Sequence, residues 1–208
     1  MPAGFPVFPE RDRQGRDQKH REQDMRIIGG TYRSRVLAEF PGEEVRPTAD
    51  RVKESLFNIL SLKIYGARVL DLFCGSGALG LECLSRGAKE VVFNDVARES
   101  VKLLEKNLRI LGISPGSAVK IHTADYSVCL DGQTGKFDLI FLDPPYRFGY
   151  GSSALKKIAE KGLLGDGGVA VYERDRPFGE EVDGLEKYDE RKYGKTWLSF
   201  FRMAPRKE

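Results

Sequence analysis

From residue 67 onward the chain alternates between two patterns of apolar positions. Arg68-Val-Leu-Asp-Leu-Phe73, Glu90-Val-Val-Phe-Asn-Asp95, Val119-Lys-Ile-His-Thr-Ala124, Phe137-Asp-Leu-Ile-Phe-Leu142 and Gly168-Val-Ala-Val-Tyr-Glu173 are short, nearly continuous apolar runs and read as strands. Ala78 to Arg86, Arg98 to Leu111 and Ser153 to Lys161 lie between them with helical spacing. Strands that are apolar on both faces are expected where helices cover both sides of a parallel sheet, so the predicted fold is α/β, doubly wound and mostly parallel. The tail from Leu185 to Met203 reads as two further strands joined through Tyr193-Gly194, an antiparallel hairpin that closes a seven-stranded sheet.

The segment before residue 67 differs. Met25-Arg-Ile-Ile-Gly-Gly-Thr-Tyr-Arg-Ser-Arg-Val-Leu37 predicts strand, turn and strand around Gly29-Gly30. Pro47 and a Thr48 cap then open an amphipathic helix whose apolar positions are Val52, Leu56, Ile59 and Leu60. Residues 1–24 hold five basic residues, five acidic residues and three prolines with almost no aliphatics, and are expected to be a disordered extension or a remnant of cloning. The expected organisation is therefore 1–24 as extension, 25–66 as a small hairpin-and-helix appendage, and 67–208 as the main domain.

Composition narrows this picture in three ways. A chain of 208 residues that is 40% hydrophobic suffices for one domain with a full core. No apolar run approaches the roughly 18 to 20 residues needed to cross a bilayer, and no basic-then-apolar leader is present at the start, so a soluble cytoplasmic protein is expected. Cys74, Cys83 and Cys129 form no C-x-x-C pair, which points to neither a disulfide framework nor a metal site. A net charge of +3, from 34 basic and 31 acidic residues, is too balanced for a histone-like binder.

Two segments carry the candidate chemistry. The first, Asp71-Leu-Phe73-Cys74-Gly75-Ser76-Gly77-Ala-Leu-Gly80, is a glycine turn between a strand and a helix, where a ligand can approach the backbone closely. Its G-x-G-x-x-G spacing fits a dinucleotide as well as S-adenosylmethionine. Asp95-Val96 ends the second strand, where a carboxylate can accept both hydroxyls of an adenosine ribose, and Asp125-Tyr126 ends the third, where an adenine would lie. Asp71 tilts the reading, because a carboxylate four residues before the first glycine suits a methionine amino group and repels a pyrophosphate.

The second segment is Asp143-Pro144-Pro145-Tyr146, directly after the fourth strand. Two prolines fix their own φ and push Asp143 toward an extended conformation, giving a rigid bracket. An exocyclic amine of a nucleobase is a poor nucleophile because its lone pair is delocalised into the ring. Acceptance of its two hydrogens by the Asp143 carboxylate and the Pro144 carbonyl favours a pyramidal nitrogen and stabilises the charge that develops during methyl transfer. Tyr146 is placed to stack on the base, which is worth on the order of 1 to 3 kcal/mol.

With these residues identified, the chain from Met25 to about Met203 resembles the RsmD-type methyltransferases, which modify the N2 amine of a guanine in bacterial 16S rRNA. The resemblance rests on Arg26-Ile-Ile-Gly-Gly, Arg46-Pro-Thr-x-Asp50-Arg-Val-Lys-Glu-Ser-Leu-Phe-Asn58, the Asp71 to Gly77 loop, Asp143-Pro-Pro-Tyr146 and Lys192-Tyr-Gly-Lys-Thr196. The Arg46 to Asn58 segment is the most specific of these. The resemblance implies a Rossmann-like class I methyltransferase fold, S-adenosylmethionine as cofactor with S-adenosylhomocysteine as product, and 16S rRNA in an assembling small ribosomal subunit as partner. It also implies Thr48 and Arg51 near the methionine end of the cofactor. A monomer is expected.

Arg26, Arg33, Arg35, Arg46, Lys192 and Lys195 are the expected phosphate contacts, with Phe148 beside Tyr146 to receive an unstacked base. Cys74 stands where a small residue such as alanine is usual, and Asn94-Asp95 where a Glu-centred sequence is common. Three alternatives stay open on the sequence: a DNA adenine-N6 or other amino-methyltransferase, an NAD-dependent oxidoreductase, and a non-catalytic RNA-binding assembly factor.

Overall fold

A computed structural model of the chain describes residues 25–40, 47–145 and 149–205, with side chains from residue 51 onward in the first helix. After that helix, α1 (Pro47–Ile59), comes one short turn of helix, α2 (Ser61–Ile64). Strands and helices then alternate as β1 (Arg68–Asp71), α3 (Ala78–Ser85), β2 (Glu90–Asn94), α4 (Arg98–Leu111) and β3 (Val119–His122). They continue as α5 (Tyr126–Asp131), β4 (Phe137–Leu142), α6 (Tyr150–Glu160), β5 (Leu164–Arg174), β6 (Leu185–Tyr193) and β7 (Thr196–Met203).

The seven strands form one sheet in the order β3-β2-β1-β4-β5-β7-β6. The first five are parallel, and β7 runs antiparallel to both β5 and β6. This is the expected doubly wound α/β architecture with its closing hairpin. Strand order reverses between β1 and β4, which opens a crevice at the carboxyl edge of the sheet.

Successive side chains along a strand point to opposite faces, so the two sides of the sheet can be read residue by residue. Val69, Leu139, Phe141, Val169 and Val171 pack with Val52, Leu56 and Phe57 of α1, Leu81 of α3 and Leu104 and Leu108 of α4. Leu70, Ile140, Leu142, Ala170 and Tyr172 pack on the other side with Leu130 of α5 and Leu155 and Ile158 of α6. By this alternation Asp71, Glu173 and Asp143, the last one residue beyond β4, all belong to the α1 face.

The N-terminal hairpin is slighter than its sequence predicts, with a single antiparallel bridge, Arg26 to Val36. The reason is competition for its N–H groups. Ile28 N and Gly29 N donate to the carboxylate of Glu82 at 2.7 and 2.8 Å, so they turn toward α3 instead of a partner strand. Gly30 has φ +77° and sits so close that a Cβ would lie 1.8 Å from the Ser85 carbonyl oxygen. Thr31 N donates to that oxygen at 2.8 Å and Tyr32 N to Ser85 Oγ at 2.9 Å. Ile27 and Leu37 complete the attachment by packing into the same apolar cluster as β1, β4 and β5.

Two short helices, α2 and α5, are not predicted by the sequence pattern, and α6 begins three residues before the predicted Ser153. α5 is only six residues long and is opened by Asp125, whose Oδ1 accepts the Ser127 N–H at 2.8 Å.

Candidate active site

Each G-x-G-x-x-G glycine has a separate physical cause. A Cβ on Gly80 would lie 2.2 Å from Phe93 Cε1 and one on Gly77 2.4 Å from Leu104 Cδ1, so these two let α3 pack tightly on β2 and α4. Gly75 has φ +52° and a Cβ there would meet nothing within 4 Å. Of the three, Gly75 alone borders open space, as a residue lining a ligand cleft must.

The loop is held from below by carboxylates. Asp71, 2% exposed, accepts the Gly80 N–H at 3.0 Å through Oδ2. Asp95 accepts the Gly75 N–H at 2.9 Å through Oδ2 and the Ala97 N–H at 2.8 Å through Oδ1. Each of these oxygens keeps further acceptor capacity, since an ionised carboxylate takes about four hydrogen bonds. Asn94 ties the loop ends together, donating through Nδ2 to Leu72 O at 3.1 Å and Ala124 O at 3.2 Å. Val96 is 69% exposed beside Asp95. Phe73, Tyr126 and Tyr150 form a run of rings with centroids 5.7 and 5.5 Å apart.

Ser76 is partly buried, with its hydroxyl 3.6 Å from Met25 Sδ, and Cys74 is buried with a thiol that burial pushes up, so it is no thiolate nucleophile. These residues suit S-adenosylmethionine: two acids at adjacent strand ends, an open glycine between them, and an exposed apolar side chain next to the ribose-binding position.

Across the crevice Asp143 is open to solvent and Pro144 is buried. The carboxyl is nevertheless pushed above the usual carboxylate range by the protein crowding its surroundings. Burial likewise raises Asp71 to about 7, opposed by the Gly80 hydrogen bond and assisted by the charges of Asp143 and Asp95. Glu173, which the sequence reading passed over as a strand end, is raised by desolvation and then by Asp143. Asp71, Asp143 and Glu173 thus form a row of carboxyls across the neighbouring strands β1, β4 and β5. Among the described residues no group of His, Cys, Asp and Glu is placed to hold a metal ion.

A pH dependence follows from Asp71. Its folded-state value lies above the ordinary 3.8, so its stabilising contribution is complete below about pH 4 and is lost as pH rises through about 7. The ligand-free protein is expected to melt a few degrees lower at pH 8.5 than at pH 5.5. S-adenosylmethionine, whose ammonium and sulfonium favour ionised carboxylates, is expected to stabilise it more at pH 8.5. Thermal melts with and without cofactor check both, and equal cofactor stabilisation at the two pH values would count against Asp71 as a charge partner.

The remaining predicted positions divide. Lys192 and Lys195 are exposed on the β6–β7 hairpin, with Lys192 Nζ 5.3 Å over the Trp197 ring. Because Arg174 of β5 pairs with Trp197 of antiparallel β7, this hairpin turn stands at the same edge as Asp143. Arg33 and Arg35 are exposed, but their turn is fastened to Ser85, at the end of α3 away from the glycine loop. Arg26 is partly buried, and its carbonyl accepts from Lys53 Nζ at 2.5 Å. The structure therefore does not gather these basic residues into one patch. Arg51 is exposed on α1. Arg46, Tyr146 and Phe148 lie outside the described residues, as does the side chain of Thr48.

Residues 25–202 match the family model described as "Conserved hypothetical protein 95". The Ribosomal RNA small subunit methyltransferase D of Haemophilus influenzae is 38% identical over 157 residues, covering 74% of this chain and 81% of that protein. Its namesake from Escherichia coli K12 is 37% identical over 151 residues, covering 73% and 75%. Among solved structures, the Escherichia coli protein yhhF superposes with a TM-score of 0.74 at 30% identity, covering 86% of this chain and 98% of that one.

Proposed function

Since the chain belongs to the RsmD family, whose model spans residues 25–202, we propose that it transfers a methyl group from S-adenosylmethionine to the exocyclic N2 amine of a guanine in 16S rRNA. S-adenosylmethionine is the cofactor and ribosomal RNA methylation is the activity. The observation that carries the finer reading is the placement of Asp143-Pro144-Pro145 at the carboxyl edge of β4, one strand from Asp71 and two from the Asp95 end of β2. The Arg46 to Asn58 resemblance supports guanine N2 as the particular amine.

Bound S-adenosylmethionine supplies an electrophilic methyl group on a sulfonium. The work of the chain is positioning and charge stabilisation. Asp95 and the open Gly75 hold the cofactor's ribose end, and Asp71 offers negative charge to its amino group. Asp143 and the Pro144 carbonyl accept the two hydrogens of the target amine, so that its lone pair is released from the ring. Lys192 and Lys195, at the same edge, are suited to phosphates flanking the target. The proposed setting is the assembling small subunit in the cytoplasm, with the enzyme acting as a monomer.

Incubation with methyl-labelled S-adenosylmethionine and either immature small subunits, naked rRNA or duplex DNA tests the assignment, followed by digestion to nucleosides. N2-methylguanosine from rRNA is expected. Label confined to DNA, or recovered as N6-methyladenosine, would overturn it. In the same assay Asp95→Ala is expected to raise the KM for cofactor at least tenfold with a smaller change in kcat, because it removes binding and leaves the reacting bracket intact.

A further inference from the structure

The three carboxyls are not equivalent once strand order is considered. Asp71 and Asp95 lie on the β1 and β2 side of Asp143, the side of the glycine loop and therefore of the cofactor. Glu173 lies on the opposite side, on β5. Leu142 pairs with Tyr172 in parallel register, so Asp143 and Glu173 are the next residues of adjacent strands, about 5 Å apart in backbone spacing. Both belong to the α1 face, and after burial the charge of Asp143 raises the cost of ionising Glu173. A group whose amine is held at Asp143 with the methyl donor on the β1 side must extend over β5.

Glu173 has no visible structural task. Neither a hydrogen bond nor an ion pair to its carboxyl occurs among the described residues, although its surroundings exclude much of its solvent. Two other acids show what a fully employed carboxyl looks like. Glu82 accepts three hydrogen bonds and Glu190, on β6, accepts from Phe178 N, Lys187 Nζ and Ser199 Oγ. A partly exposed carboxyl at the reacting edge, repelled by its neighbour and unpartnered, is costly to keep for packing alone. A hydrogen-bond donor brought by a ligand would remove that cost.

We propose that Glu173 reads the Watson–Crick edge of the target base, accepting the ring N1–H of guanine while Asp143 and Pro144 hold the adjacent N2 amine. This rests on the guanine N2 reading above. The atoms N1 and N2 are neighbours on guanine, matching two acids on neighbouring strands. Adenine carries no 2-amine for Asp143 and Pro144 to hold, and its bare N1 acceptor is repelled by Glu173 in the ionised form. In its protonated form, which its surroundings favour, Glu173 also donates from its hydroxyl to O6 while its carbonyl accepts N1–H.

The test uses small-subunit RNA ligated from a synthetic segment that carries guanine or 2-aminopurine at the mapped target. 2-Aminopurine keeps the exocyclic 2-amine but has neither N1–H nor O6. Wild-type protein is expected to prefer guanine by about a hundredfold or more in kcat/KM, because a site built to bond a donor rejects an analogue lacking it. Glu173→Ala, and Glu173→Met as an apolar variant of similar length, are expected to lower that preference at least tenfold. Glu173→Gln, whose amide reproduces the donor and acceptor of the protonated acid, is expected to keep it within about threefold.

Calorimetry with S-adenosylhomocysteine confirms in each variant that the cofactor side is intact. A preference within about threefold of wild type in both apolar variants, whatever their total activity, would overturn the role of Glu173 and leave the guanine N2 assignment standing. Absence of N2 methylation of the guanine RNA by wild-type protein would defeat that assignment and this inference with it.

Discussion

Asp143→Ala is expected to reduce the methyl-transfer rate by about 10² to 10³-fold while changing the affinity for S-adenosylmethionine less than about threefold. The magnitude is that of removing one preorganised group aimed at developing charge. The separation of effects follows from topology: Asp143 follows β4, whereas the glycine loop and Asp95 belong to β1 and β2. Asp143→Asn keeps one acceptor oxygen but loses the charge, so an intermediate loss is expected. Single-turnover transfer of labelled methyl to rRNA measures the rate, and calorimetry with S-adenosylhomocysteine measures binding. A turnover near wild type in Asp143→Ala would show that the target amine needs no carboxylate acceptor. A loss of cofactor binding equal to the loss of rate would instead place Asp143 on the cofactor.

The second large effect is on stability. Glu82 is fully buried and its two oxygens serve Ile28 N at 2.7 Å, Gly29 N at 2.8 Å and Arg86 Nε at 2.7 Å. The same Arg86 lies over the Phe57 ring at 5.0 Å, so the acid joins the N-terminal segment, α3 and α1 at one point. Removing one partner of a buried charged pair costs about 3 to 5 kcal/mol, which in a protein of this size lowers the melting temperature by roughly 10 °C. Glu82→Ala is therefore expected to unfold at clearly lower denaturant, and proteolysis is expected to release the segment before Pro47 first. Glu82→Gln keeps the shape but turns one acceptor into a donor facing an N–H, so it is expected to recover little. Denaturant titration and limited proteolysis read both outcomes, and a loss of unfolding free energy below about 1 kcal/mol for Glu82→Ala would show that the segment is held by apolar packing alone.

These two acids also mark what the sequence made legible. Asp143 could be found because its chemistry is local: the prolines that set its geometry follow it directly, and the apolar run of β4 places it at a sheet edge. Likewise α4 was bounded correctly by its own periodicity and the glycine after it. Glu82 could not be found that way. It sits in an ordinary helical stretch, and the two backbone N–H groups it holds, of Ile28 and Gly29, are more than fifty residues away. Glu173 was hidden for a related reason, since only the parallel register of β4 with β5 brings it beside Asp143. Asp125 was legible as an acid at the end of a strand, but its capping of α5 was not, because six residues are too few to show a helical period. The basic residues were legible as charge but not as a surface, since their grouping depends on how the N-terminal turn is fastened to α3.

The unequal packing of the glycines around the cofactor loop has a consequence for how the gene tolerates change. Variants at Gly80 and Gly77 would be removed from a population through poor yield, because a side chain at either collides with the folded interior. A variant at Gly75 would meet no neighbouring atom, so apart from the local strain of a side chain at φ +52° its larger expected effect is on ligand binding. Selection for abundance and selection for activity therefore act on residues only two positions apart, and a mutational scan that scores both would separate the loop's folding role from its binding role without a ligand-bound structure.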